Sequence, residues 1–166
     1  MVVLTAVFGI LLAGSLVYCV LVIVATRNYL RVPRAPASEL PAVSILKPLC
    51  GHDEGLEENL RSFFVQDYPH YEILFGVHRA DDPACQVAER LVQQYSGKVS
   101  ARLVVTGESP IPNAKAFSLK RLVLESRHDI LVMCDSDVRV APDLLRRMAA
   151  EFEDQRVGLI TCPYRA

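Results

Sequence analysis

From residue 42 onward, short apolar segments alternate with segments in which apolar residues recur every three to four positions. The first kind is typical of strands buried on both faces, and the second of helices that pack one face on a sheet. A chain that alternates in this way is predicted to form a parallel α/β sheet covered by helices. Strands are predicted over 42–47, 71–78, 99–105, 129–134 and 157–162. Helices are predicted over 54–66, 82–95, 113–126 and 141–152, the last with Pro142 early in its first turn.

The first 26 residues of the chain contain no Asp, Glu, Lys or Arg. A helix of this length and composition can cross a hydrocarbon core of roughly 30 Å. No positive charge precedes the run and its apolar part is long, which favours a retained anchor over a cleaved signal peptide. Positive residues follow it, so the positive-inside rule places the next segment in the cytosol. We expect a transmembrane anchor over 1–26, a basic, Pro-rich juxtamembrane linker over 27–41, and then a soluble part.

Composition leaves several function classes without support. The formal net charge of −1 gives no overall positive field that would draw the chain to nucleic acid. The five cysteines have no C-x-x-C spacing and the four histidines are scattered, so no zinc site is indicated. The sequence also lacks a dinucleotide-binding G-x-G-x-x-G after a strand, a P-loop and a G-x-S-x-G nucleophile elbow.

Two aspartates, Asp135 and Asp137, directly follow the apolar segment 129–134 as a D-x-D motif. In open α/β sheets, ligands bind beyond the carboxyl ends of the strands. Carboxylates at i and i+2 can face one Mg²⁺ or Mn²⁺, which is commonly held by one or two carboxylates together with substrate phosphates. The alternative is an ordinary strand-to-helix turn in which an aspartate caps the following helix.

Three more charged residues, Lys47, Asp81 and Asp82, are predicted at this edge of the sheet, and a fourth, Lys115, is predicted near a helix start. Asp81 and Asp82 follow the second strand, where a carboxylate can accept a hydrogen bond from a nucleotide base. Asp82 is equally suited to cap the next helix, with Pro83 at its first position. Lys47 ends the first strand and Lys115 lies near a helix start, so both are candidates for phosphate contacts. For the lysines, the alternative is the usual solvated surface residue.

Taken in order, four segments resemble the ceramide glucosyltransferase family, and within it the bacterial members associated with hopanoids. The segments are VSILKPLCGHDEGLEENLRSFFVQDYPHYEILFGVHRADDPA, NAK, CDSDVRVAPDLL and VGLITCPYRA. The resemblance runs from about residue 42 to the last residue, with matching spacing, and it includes the N-terminal anchor. It implies the nucleotide-binding half of a Rossmann-like GT-A domain over 42–166. The implied reaction transfers a hexose from a UDP-sugar to a lipid hydroxyl at the cytosolic membrane face.

The resemblance also implies roles for individual residues. Asp82 would contact the uridine, with Asp81 beside it. Asp135 and Asp137 would hold Mn²⁺ or Mg²⁺ on the diphosphate. Two lysines match family lysines near the donor site, and these are Lys47 and Lys115.

One departure from the family pattern qualifies this expectation. In the family, an acceptor half follows the PY.A stretch and carries a general-base aspartate and a [QR]-x-x-R-W motif. This sequence ends at Ala166 and contains no Trp. An N-terminal fragment without its general base is therefore expected, and the alternative is an inactive remnant that at most binds UDP. A phosphatase of the haloacid dehalogenase type is disfavoured, because its D-x-D opens the domain, whereas here about 90 soluble residues precede the motif.

Overall fold

The computed structural model describes residues 2–31 and 39–162. The chain forms two units, Met1–Ala35 and Pro36–Ala166. The first unit contains one long helix, and the second contains a parallel sheet with helices on both faces.

The helix of the first unit is α1 (Val2–Arg31). Among the described residues, one helix is long and apolar enough to cross a membrane, and it spans Val3–Tyr29. The helix continues beyond the predicted anchor boundary at residue 26, because the following RNYLR contains no proline or glycine to end it. The start of the predicted linker is thus helical, and residues 32–38 of that linker lie outside the described residues.

The second unit is built on a four-stranded sheet in the order β3-β2-β1-β4, with every neighbouring pair parallel. The strands are β1 (Val43–Pro48), β2 (Tyr71–Val77), β3 (Ser100–Val105) and β4 (Ile130–Met133). The helices are α2 (Leu56–Phe64), α3 (Pro83–Gln94), α4 (Ala114–Glu125) and α5 (Leu144–Glu151). The α/β expectation is confirmed.

The prediction of a fifth strand over 157–162 is wrong. This segment has no strand conformation, and Leu159 in it is 82% exposed. A strand depends on the hydrogen bonds of a neighbouring strand. Within residues 39–162, the three ladders pair β3 with β2, β2 with β1 and β1 with β4. None of them includes the segment 157–162.

The sheet has a larger and a smaller apolar core, one on each face. The larger core joins β1 and β2 to α2, α3 and α5 through residues such as Leu60, Phe63 and Leu145. On the other face, Leu122 of α4 packs with Leu46 and Leu74. A Cβ on Gly76 would lie 2.9 Å from a Leu122 methyl carbon, so a glycine there allows α4 to approach the sheet closely.

Gln66, which follows α2, forms hydrogen bonds with the backbone at the start of α5. The Gln66 side chain donates to the carbonyl of Ala141 at 3.0 Å and accepts from the amide of Leu145 at 3.4 Å. It therefore takes the capping role at the start of α5, where Asp143 makes no side-chain capping bond. The prediction that Pro142 lies in the first turn of α5 is therefore wrong, because α5 begins at Leu144, where Gln66 provides the cap.

Candidate functional site

A cleft of about 390 Å³ opens at the carboxyl edge of the sheet. It is bounded by the residues that follow β1, β2 and β4 and by the first turns of α4. Its lining residues are Pro48, Leu49, Cys50, Asp53, His78, Ala114, Lys115, Ser118, Asp135, Ser136 and Asp137. Three of the six residues predicted for the site line this cleft, namely Lys115, Asp135 and Asp137.

Asp135 and Asp137 lie in the D-x-D turn, which we define as residues 135–137, directly after β4. Both residues line the cleft, and Lys115 Nζ lies 2.6 Å from Asp135 Oδ1. The helix-capping alternative is wrong for these two aspartates, because α5 begins only at Leu144. The turn and the first turn of α4 therefore bring two acids and one lysine to the same cleft.

The chemistry of these donors suits a hard divalent cation. Mg²⁺ and Mn²⁺ prefer oxygen ligands and are often held by one or two carboxylates plus phosphate oxygens and water. Among the residues that the structure describes, no group of three His, Cys, Asp or Glu residues is placed to hold a metal. Asp135 and Asp137 thus fit as the protein's share of a site that a bound phosphate completes, and not as a cage made by protein alone.

Lys47 lies beneath the cleft and does not line it. Its side chain is fully buried, its Nζ donates to the backbone carbonyl of Asp135 at 2.6 Å, and it lies 3.9 Å from the centre of the Phe63 ring. Burial lowers the pKa of Lys47 to about 8, although Cys134, Asp135 and Asp137 nearby act in the opposite direction. Lys47 is not a solvated surface residue, and its contact with the site passes through Asp135.

Asp82 caps α3, which was one of the two roles predicted for it. Its Oδ1 accepts from the amide of Ala84 at 2.9 Å, with Pro83 at the first helical position. The same oxygen accepts from the amide of Gly51 at 3.0 Å. Asp82 therefore holds the loop after β1, which carries Cys50 and Asp53 of the cleft lining.

Asp81 lies at the surface beside Asp82. Arg79 donates two hydrogen bonds to its carboxylate, both at 2.9 Å, and these lower the pKa of Asp81. Neither Asp81 nor Asp82 is among the residues that line the cleft. Asp82 Oδ1 thus contacts backbone amides, and the contact of Asp82 with a uridine stays a prediction.

Sequence reasoning missed several polar lining residues, among them Asp53, His78 and Ser118. His78 Nδ1 lies 3.1 Å from the carbonyl of Gly107, and because a carbonyl only accepts, Nδ1 carries the hydrogen. Ser118 is buried and shares a hydrogen bond of 3.1 Å with the hydroxyl of Thr106. His78 directly follows β2, so the rule that ligands bind beyond the carboxyl ends of the strands also points to it.

The fold is shared with solved glycosyltransferases of the GT-A class. The mannosyltransferase PcManGT from Pyrobaculum calidifontis, solved in complex with GDP-Man and Mn²⁺, superposes with a TM-score of 0.69 at 24% identity, over 88% of this chain and 43% of that one. The S. aureus TarS 1-349 structure in complex with UDP-GlcNAc gives a TM-score of 0.53 at 18% identity, over 74% and 37% of the two chains. At these identities the likeness concerns the fold.

The sequence matches the model of Glycosyl transferase family 21 over residues 7–166, and the chain belongs to this family. It is 34% identical to Ceramide glucosyltransferase 3 of Caenorhabditis elegans over 129 residues, which cover 76% of this chain and 28% of that protein. It is 36% identical to the ceramide glucosyltransferase of Komagataella phaffii over 114 residues, covering 66% and 22%. The chain thus spans about a quarter of the length of these relatives. Family membership confirms the resemblance to ceramide glucosyltransferases and removes the phosphatase alternative.

Replacing Asp82 by alanine is expected to destabilise the second unit by about 1–2 kcal/mol, because the amides of Ala84 and Gly51 lose their acceptor. Asp82→Asn keeps an acceptor oxygen and is expected to lose less than half of that. The measurement is urea unfolding of the full chain in detergent micelles, followed by circular dichroism. Asp81→Ala, at the surface, is the matched control. Equal stabilities of Asp82→Ala and Asp81→Ala would contradict the capping role.

Proposed function

We propose that this chain is the donor-binding part of a membrane-anchored glycosyltransferase. The proposed reaction transfers a hexose from a UDP-sugar to the hydroxyl of a lipid acceptor of the ceramide or hopanoid type. Family membership and the names of the relatives support this class of reaction. The observation that carries the proposal is that Asp135, Asp137 and Lys115, from two separate elements, converge on one cleft at the carboxyl edge.

We assign the diphosphate of the donor to the β4 side of the cleft. Asp135 and Asp137 would hold Mn²⁺ or Mg²⁺ there, and the cation would supply positive charge to stabilise the leaving diphosphate. Lys115 supplies a cation for a phosphate oxygen. It lies in the first turn of α4, whose N-terminus also favours negative charge.

We assign the nucleoside to the side of the cleft beyond β1 and β2. His78 follows β2 and Asp135 follows β4, with β1 between these strands. Two strand spacings amount to roughly 10 Å, a distance that suits a base and a diphosphate at opposite ends of one ligand. His78 and Asp53 offer hydrogen-bonding groups there. In this proposal Asp82 acts on the uridine indirectly by holding Gly51, with Asp81 beside it at the surface.

The lipid acceptor is the reason for the anchor in this proposal. The apolar helix α1 would cross the membrane once, and the second unit would lie on the cytosolic side, the side of Arg27 and Arg31. We expect the base that deprotonates the acceptor hydroxyl in the portion of the relatives that this chain does not span. Within residues 39–162 we assign no catalytic base.

Calorimetric titration of UDP into the full chain in nanodiscs, with and without Mn²⁺, tests the donor site. Binding is expected to strengthen with Mn²⁺, and Asp135→Ala is expected to weaken the Mn²⁺-dependent affinity more than about 10-fold. Asp129→Ala is the matched control, because Asp129 is an exposed acid at the amino end of the same strand β4. A UDP affinity that changes neither with Mn²⁺ nor with the Asp135→Ala substitution would overturn the assignment. Competition by GDP and CDP reports the choice of base.

A further inference from the structure

The contact between Lys47 and Asp135 lies where the β1–β4 ladder ends. The last pair in this ladder is Leu46 with Met133, and the amide of Cys134 still donates to the carbonyl of Leu46 at 3.2 Å. The Lys47 ammonium group donates to the carbonyl of Asp135, the first residue of the D-x-D turn, at 2.6 Å. An ammonium group therefore continues the link between the two strands beyond the last backbone hydrogen bond.

Core packing alone does not explain a lysine at this position. Lys47 is fully buried against the Phe63 ring, and removing an ammonium group from water typically costs several kcal/mol. A methionine of similar length would fill the space without a buried charge. What the lysine adds is a charged donor to the backbone of Asp135, and a positive charge near Asp135 and Asp137.

We propose that Lys47 is a positioning residue for the D-x-D turn. Its ammonium group fixes the backbone of Asp135 where β4 ends, so that the carboxylates of Asp135 and Asp137 both face the cleft. This inference rests on the proposed function, in which these carboxylates hold a divalent cation on a diphosphate. Groups that orient metal ligands from behind commonly change metal affinity 10- to 100-fold when they are removed.

The test measures Mn²⁺ binding by electron paramagnetic resonance, using the full chain in nanodiscs at neutral pH with UDP present. Lys47→Met is expected to weaken Mn²⁺ binding by about 10-fold or more and to change the line shape of the bound ion. UDP binding without metal is expected to stay within about 3-fold of wild type, since Lys47 does not line the cleft. Lys120→Met, an exposed lysine of α4 that does not line the cleft, is the charge-matched control.

The outcomes separate this inference from the proposed function. If wild type shows no Mn²⁺-dependent UDP binding, the proposed function fails and this inference with it. If wild type shows it and Lys47→Met retains both the affinity and the line shape, only the positioning role is overturned. An equal loss of metal-dependent and metal-free UDP binding would also overturn it, because that pattern reports general damage. Should Lys47→Met not fold, Lys47→Gln, which keeps an N–H donor without charge, is judged by the same criteria with a smaller expected loss.

Discussion

The stability of the wild-type chain relative to Lys47→Met is expected to rise by about 3 kcal/mol between pH 8 and pH 10.5. The pKa of Lys47 falls from the ordinary 10.5 to about 8 in the folded chain, chiefly because the group is buried. Between these values the unfolded chain holds a proton that the folded chain has released, so stability increases with pH. Below pH 8 both states carry the charge, and its burial opposes folding in full. Above pH 10.5 neither state carries it.

The measurement is urea unfolding of both proteins in detergent micelles at steps of pH, followed by circular dichroism. Taking the difference between the two proteins is necessary, because burial raises the pKa of Tyr68 and Tyr71. A raised tyrosine pKa makes stability fall as pH rises above the ordinary value near 10. That contribution is common to both proteins and cancels. Stability curves that run parallel from pH 8 to pH 10.5 would contradict the lowered pKa of Lys47 in the folded chain.

Most of the sheet could be predicted because its signals are local. The apolar strands β1 to β4 and the periodic helices α2 to α4 lie within two residues of their predicted bounds. The errors concern elements decided by distant partners. The start of α5 depends on Gln66, which is 79 positions away from Leu145 in the sequence. The apolar segment 157–162 has strand-like composition, but within the described part of the chain no ladder includes it.

The site was predictable to the extent that it follows from sheet topology. Asp135 and Asp137 could be placed at the carboxyl edge because parallel strands end there together. The position of Lys47 could not be read in this way, since strands buried on both faces show no alternation that reveals where a side chain points. The capping role of Asp82 could be predicted from the adjacent Pro83. Its second contact, with the amide of Gly51, could not, because Gly51 is 31 positions away in the sequence.

Replacing Glu72 by alanine is expected to destabilise the second unit by about 3 kcal/mol. Glu72 is 2% exposed, and its Oε1 accepts from the Ser44 hydroxyl and from the amide of Arg127, both at 2.7 Å. The Ser44 oxygen in turn accepts from the amide of His128 at 3.2 Å. Glu72 thus ties β1 and β2 to the connection between α4 and β4. Its removal leaves two donors without an acceptor, each at a cost of about 1–3 kcal/mol, and a cavity beside them.

Glu72→Gln separates the hydrogen bonds from the charge. It keeps an oxygen for Ser44 and Arg127, and it is expected to lose about 1 kcal/mol, because the guanidinium of Arg127, 3.9 Å from Oε2, is largely exposed and contributes little. Glu89→Ala, an exposed acid on α3, is the matched control for urea unfolding. If Glu72→Gln has as low a free energy of unfolding as Glu72→Ala, the charge of Glu72, and not its hydrogen bonds, stabilises this edge of the sheet.

The same Glu72 variants also test whether the two edges of the sheet act independently. Ser44 and Pro48 are four residues apart in β1, so the Glu72 cluster lies roughly 13 Å from the cleft along the strand. In the folded fraction, Glu72→Gln is therefore expected to bind UDP and Mn²⁺ with wild-type affinity, although its unfolding midpoint is lower. Weakened binding at temperatures where the variant is fully folded would mean that strain in the α4–β4 connection reaches the cleft, where Lys115 of α4 forms an ion pair with Asp135 after β4.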